Sequence, residues 1–269
     1  MGRDKKMRSL CLTGLFLFSI LLSLALPAGT VSASNETTSG TITGTETWAG
    51  VHTLTGDVTI APGAKLIINP GATIEFPNGT HLDVRGSLCA GVASCGASSN
   101  AGPAMRINLR WSEPVNASAT GECYGMSYGN QEIWIEDPSC SEGILMRSSI
   151  DLAETGLRYV TFDSAWGIPQ YISAVGEFRY GALVLDGASP TLTELSFNQI
   201  NTSSVLTTNL AQPVFNGGDF AVGIDANTGI VGAALQIYSS GSSVSPFSLS
   251  DISLTGTNNG CGNRDNGRH

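Results

Sequence analysis

Val58-Thr59-Ile60-Ala61-Pro62-Gly63-Ala64-Lys65-Leu66-Ile67-Ile68-Asn69-Pro70-Gly71-Ala72-Thr73-Ile74-Glu75-Phe76-Pro77-Asn78-Gly79-Thr80-His81-Leu82-Asp83-Val84-Arg85-Gly86 is the stretch that decides the fold. Ile60, Ile68, Phe76 and Val84 recur every eight residues, and Leu66, Ile74 and Leu82 keep the same step. Gly63, Gly71 and Gly79 mark the matching turns. Short runs that alternate apolar and polar side chains place one inside and the next outside. A Pro-Gly or Asn-Gly pair then supplies a fixed φ followed by a positive one, which turns the chain sharply. Three such steps make a coil of about 24 residues, a common size for one repeat unit. Stacked coils pair each strand with its counterpart above and below and bury a continuous apolar column. Helix is excluded over this stretch, because Gly or Pro recurs too often for a helix interior. A meander of hairpins is the competing β arrangement, and it calls for longer strands.

A second motif, Leu-x-x-apolar-x-apolar, occurs at Leu157–Phe162, Leu192–Phe197 and Leu249–Leu254. Each copy follows a shorter apolar run, at 143–146, 181–185 and 233–237. The unequal separations imply loops of different length inserted into a regular stack. Gly86-Ser87-Leu88-Cys89-Ala90-Gly91, the strand from Arg106 to Leu109, Gly143-Ile144, Leu157–Phe162, Ala165-Trp166-Gly167-Ile168 and Ser189-Pro190-Thr191-Leu192 together resemble the right-handed parallel β-helix proteins of archaeal and bacterial cell surfaces. These belong to the wider pectin-lyase-like class. The resemblance spans roughly residues 48–255. It implies an all-β, right-handed parallel β-helix, and it includes polysaccharide lyases and glycoside hydrolases among its activities.

The first 33 residues have the form of a signal peptide. Arg3, Lys5, Lys6 and Arg8 precede an apolar run from Leu10 to Leu26, and Val31-Ser32-Ala33 offers a cleavage site after Ala33. The alternative is an uncleaved N-terminal anchor, which would be the chain's sole membrane contact. Residues 34–47 read as a Ser/Thr-rich linker, 48–255 as the β-helix with a cysteine-rich excursion over 90–141, and 256–269 as a polar tail. No capping helix follows Leu254, so the expectation is a frayed end or an incomplete version of a longer protein.

The segment after Ala33 carries nine bases against twenty-one acids. That balance repels nucleic-acid phosphates and anionic membranes. In an exported protein Cys89, Cys95, Cys123 and Cys140 read as a disulfide framework, with Cys89–Cys95 and Cys123–Cys140 the short-loop pairings among three connectivities. Asn35, Asn78, Asn116 and Asn201 begin glycosylation sequons.

Candidate chemistry is sparse. Gly125-Met126-Ser127-Tyr128-Gly129 matches a nucleophile elbow, but no helix pattern follows and only His269 lies downstream. Asp163, Asp186, Glu194, Asp225 and Asp251 are the carboxylates on or near the coils that glycan cleavage would draw on. Asp219, Asp225 and Asn227, beside Asn216, suit a weak structural calcium, and so does the cluster Glu132, Glu136, Asp137 and Glu142. No other cofactor is implied. Trp111, Tyr124, Tyr128, Trp134, Trp166 and Tyr171 are the aromatic candidates for stacking on a sugar ring, with core packing the alternative for Trp111 and Trp134. The sequence therefore leads to an exported, secreted or cell-surface protein, not an enzyme, that binds polysaccharide or another envelope component. A carbohydrate-active enzyme of the same fold and a structural spacer are the rival expectations.

Overall fold

A computed structural model describes residues 36–112, 127–128, 131–132, 142–173, 176–200, 202–222, 233–238 and 248–256. The tract read as a signal peptide lies outside them, as do Tyr124, Trp134, Cys123, Cys140, Cys261, Asn35, Asn116, Asn201, Asp225 and Asn227. Among the described residues no helix is long and apolar enough to cross a membrane.

The chain is a parallel β-solenoid with three faces: from Gly40 to Trp111 each strand bonds to the strand three positions on, and in the last coils, where one long strand spans two faces, to the strand two positions on. Face one stacks Gly40–Ile42, Val58–Ile60, His81–Val84, Gly143–Arg147, the second half of Glu177–Asp186, Ser203–Thr208 and Leu235–Ile237. Face two stacks Thr45–Trp48, Lys65–Ile68, Ser87–Ala90 and Gly156–Arg158, followed by the first halves of Thr191–Asn198, Val214–Val222 and Ser248–Gly256. Face three stacks Val51–Thr53, Thr73–Phe76, Ile107–Trp111 and Val160–Asp163, followed by the second halves of those same three strands. Val58 pairs with Leu82 and Ile60 with Val84, the 24-residue step read from the sequence.

Alternation sorts the side chains. On face one Ile42, Ile60, Val84, Met146 and Leu185 form one inward column, all buried. On face three the aromatic rings follow one another up the stack. Phe76 lies 4.3 Å from Trp111, Phe162 4.7 Å from Phe197, and Phe197 5.2 Å from Phe220. Each such contact adds about 0.5–1.5 kcal/mol to the burial of the rings themselves.

The second sequence motif encodes a corner. In Leu157–Phe162 and its counterparts the third residue joins face two to face three with a positive φ: Tyr159 at 51°, Glu194 at 54° and Asp251 at 55°. A fourth copy, Phe215-Asn216-Gly217-Gly218-Asp219-Phe220, supplies the missing coil, with Gly217 at φ 74°. Its pattern is hidden because glycine replaces the apolar residue at position 218. A Cβ there would fall 2.6 Å from the Leu195 carbonyl oxygen, and the Phe220 ring occupies that space.

Two expected boundaries move. The solenoid begins at Gly40, inside the stretch read as a linker, because β-branched Thr41, Thr45 and Thr47 suit a first rung whose outer side is wet. Residues 36–37 cap that rung. His52 occupies an inward position, stacks on Trp48 at 4.3 Å, and sets Nδ1 2.5 Å from Glu36 Oε2 and Nε2 3.1 Å from the Thr37 carbonyl oxygen. Trp48 Nε1 donates to Glu46 Oε1 at 2.7 Å. The span read as one excursion is also broken, since Ile107–Trp111 returns to face three as a rung. On the last described rung the inward residues Ile237, Leu249 and Leu254 are exposed.

Candidate functional site

The outer side of face three is a polar surface in strict register. One row runs Thr73, Asn108, Thr161, Ser196, Asp219 and Ser253. The neighbouring row runs Thr53, Glu75, Arg110, Asp163 and Asn198. Successive members sit one strand apart, about 4.8 Å. Thr53 donates to Glu75 Oε2 at 2.8 Å, and Arg110 Nε lies 3.5 Å from Asp163 Oδ2. Most of these side chains are exposed or half-exposed; Thr161 is covered by Arg106, whose Nε donates to its hydroxyl at 3.0 Å. Hydroxyls, amides and single charges at a fixed repeat offer hydrogen bonds to a polymer that is itself repetitive.

Face one differs. Its outer side carries Asp83, buried between Arg85 and Arg147. Arg85 donates to Asp83 Oδ2 from Nε at 2.9 Å and Nη2 at 2.8 Å, and Arg147 Nε donates to Asp83 Oδ1 at 3.1 Å. Arg147 Nη1 also lies 3.5 Å from Asp186 Oδ2, and Thr208 donates to Asp186 Oδ1 at 3.2 Å. Further along, Leu145, Val184 and Leu206 point outward yet are buried, forming a small second cluster with Ile168. Outside face two, Cys89 and Cys95 form a disulfide that packs with Ile67 and Ala97. The expected Cys89–Cys95 pairing is thereby present.

Among the described residues the aromatic candidates Trp111, Trp166 and Tyr171 lie in different settings. Trp111 is not a ligand platform: it is 1% exposed, an inward member of face three, with Nε1 donating to the Thr80 carbonyl oxygen at 2.8 Å. Tyr171 is 58% exposed on the hairpin formed by Ile168–Ile172 and Glu177–Asp186, edge-on to Phe178 at 5.3 Å. Trp166 is half-buried just before that hairpin. Ser127–Tyr128 pairs antiparallel with Gln131–Glu132, an extended arrangement rather than a strand-to-helix elbow.

The carboxylates among the described residues are dispersed. Asp163 belongs to face three, Asp186 to face one, and Glu194 and Asp251 to the corner between faces two and three. Glu142 departs from its expected place in a calcium cluster. It is fully buried, and both carboxylate oxygens are taken: Oε1 accepts the Gly79 N–H at 2.9 Å and Oε2 the Trp166 N–H at 3.0 Å. Its backbone exchanges hydrogen bonds with Gly167. Burial pushes its pKa up to about 7, partly opposed by those two backbone donors. Asp219 stands exposed in the polar row, and among the described residues no three His, Cys, Asp or Glu side chains gather to hold a metal ion. Asn78 is exposed in its turn. His81 has Nδ1 3.1 Å from Asp57 Oδ1.

Sequence reasoning missed the polar rows because no single stretch contains them; each member comes from a different coil. The outward positions one residue before Phe162, Phe197 and Phe220, and three before Phe76 and Trp111, were the available signal. Comparison with known proteins finds no matching family model, no matching curated protein and no matching solved structure.

Proposed function

We propose that this chain is an exported, non-catalytic surface protein, of the pectin-lyase-like type its repeats resemble, whose face three binds polysaccharide or another repetitive envelope component. One observation carries the reading: the registered row Thr73, Asn108, Thr161, Ser196, Asp219 and Ser253, a wet polar strip along a rigid wall. Preorganised donors and acceptors bind without the ordering cost that flexible loops incur. The Cys89–Cys95 disulfide supports an extracytoplasmic setting, where such bonds persist. Calcium is not needed for this reading, and nucleic acid is disfavoured by the acidic balance of the chain.

A glycan-array screen of the chain from Ser34 onward, with and without calcium, tests it. Binding to repetitive glycans in both conditions is the expected result. Failure to bind any polymer would leave the spacer reading in its place.

The enzymatic alternative draws on face one, where Asp83 and Asp186 converge on Arg147. Both acids are committed to ion pairs, which suits wall cohesion better than proton transfer to a glycosidic oxygen. Incubating the best-bound glycan with the protein and assaying for new reducing or unsaturated ends decides between them; none are expected.

A further inference from the structure

Seven basic side chains lie among the described residues, and four of them meet a carboxylate: Lys65 with Glu154, Arg85 with Asp83, Arg110 with Asp163, and Arg147 with Asp83 and Asp186. Arg179 donates to the Tyr238 hydroxyl at 2.9 Å. Arg106 and Arg158 are arranged otherwise. No carboxylate among the described residues pairs with either, and both guanidinium groups approach the ring of Tyr159, at 5.4 and 5.2 Å from its centroid.

The geometry fixes their stems and leaves their tips. Arg106 reaches across the neighbouring coil, donating from Nε to Thr161 Oγ1 at 3.0 Å and from Nη2 to the Glu194 carbonyl oxygen at 2.8 Å. Arg158 donates from Nε to the Ala101 carbonyl oxygen at 3.0 Å. Arg106 Nη1 and both terminal nitrogens of Arg158 keep their protons without an acceptor among the described residues. Tyr159 sits at the positive-φ corner, half-buried, with its ring approached by both cations. Glu194, whose backbone carbonyl accepts from Arg106, directs its carboxylate toward Gly217, one coil further on. Two like charges held around one ring in an acidic protein repel each other, and an anion between or beside them relieves that repulsion. Donors arriving from two sides suit a tetrahedral oxyanion, whereas a planar carboxylate is best matched by the edge of one guanidinium.

We propose that Arg106, Arg158 and Tyr159 form an anion subsite at the edge of face three, which takes a sulfate ester or phosphodiester carried by the bound glycan, with the Tyr159 ring beside the sugar. This rests on the reading of face three as a polysaccharide surface, since Arg106 lies over its polar row through Thr161.

The test titrates the folded chain from Ser34 onward with dextran, dextran sulfate, a poly(glycerol phosphate) and polygalacturonate of matched length at fixed salt. Dextran sulfate or the phosphate polymer is expected to bind at least tenfold more tightly than dextran. Arg106→Gln with Arg158→Gln should abolish that margin. Arg158→Gln alone gives up one hydrogen bond, guards against a folding artefact, and should lose at least threefold. An equal affinity for dextran and both tetrahedral polyanions would overturn the subsite and leave the polysaccharide reading standing. Preference for polygalacturonate, or a margin that survives both substitutions, would also overturn it. If no polymer binds, the polysaccharide reading fails; arginine-dependent binding of inorganic sulfate would then still support the anion site.

Discussion

The side chain of Glu142 accepts the backbone N–H of Gly79 at 2.9 Å across 63 residues of sequence, in a place with no solvent exposure. Its other oxygen holds Trp166, so one carboxylate fastens the end of an early coil to a later one. Burial raises its pKa to about 7 from 4.5.

The sign of the pH effect follows from that shift. Between pH 4.5 and about 7 the folded chain keeps a proton on Glu142 that the unfolded chain has released. Stability therefore falls as pH rises through that window, by roughly 3 kcal/mol in total for this group. Glu142→Gln removes the titration. Denaturant melts at pH 5 and pH 7.5 should show the variant losing less stability than the wild type between the two; equal losses would show that Glu142 is not the source.

Trp111 belongs to the core, stacked on Phe76 and capped by its bond to Thr80. Trp111→Ala should cost about 3–5 kcal/mol in a chemical melt, and Phe162→Ala a similar amount. Unchanged stability in Trp111→Ala would mean that the ring serves a surface role instead.

The corner column predicts opposite responses at neighbouring coils. Glu194 adopts φ 54°, a region that L-residues other than Gly, Asn and Asp seldom enter, so Glu194→Gly should be neutral or stabilising by up to about 1 kcal/mol. Gly217→Val should cost about 1–3 kcal/mol, because its φ is 74° and a Cβ would meet the Glu194 carboxylate at 2.5 Å. Thermal denaturation of the two variants checks both signs.

The Cys89–Cys95 bridge closes a short loop, its ends six positions apart in sequence. Loop-closure entropy assigns such a bridge about 2 kcal/mol. Replacing both cysteines with serine should lower stability by that order while the coil register persists, measured by denaturant titration and far-ultraviolet circular dichroism.

Much of the architecture was legible because the signal was local. The eight-residue step from Val58 to Gly86 contains its own turns, and the register Ile60–Val84 follows from counting. The corner motif was readable at Leu157, Leu192 and Leu249, but not at Phe215, where Gly218 gives its volume to Phe220. Gly40–Ile42 was hidden for another reason: a first rung has one wet side and few apolar residues to announce it. The site was far less legible. Outward residues carry no periodic constraint beyond being polar, so nothing along the chain links Asn108 to Ser196 or sets Arg106 beside Tyr159. Glu142 looked like one acid in a cluster, and only three-dimensional packing shows its oxygens turned inward to Gly79 and Trp166.

The claim that face three is the binding surface is tested most directly by obstructing it. Asn198→Trp and Ser253→Trp place bulk on its exposed outer rows, while Thr47→Trp places the same bulk on face two. Affinity for the strongest array glycan should fall at least tenfold in the first two variants and stay within twofold of wild type in the third. Equal affinity in all three would contradict the account.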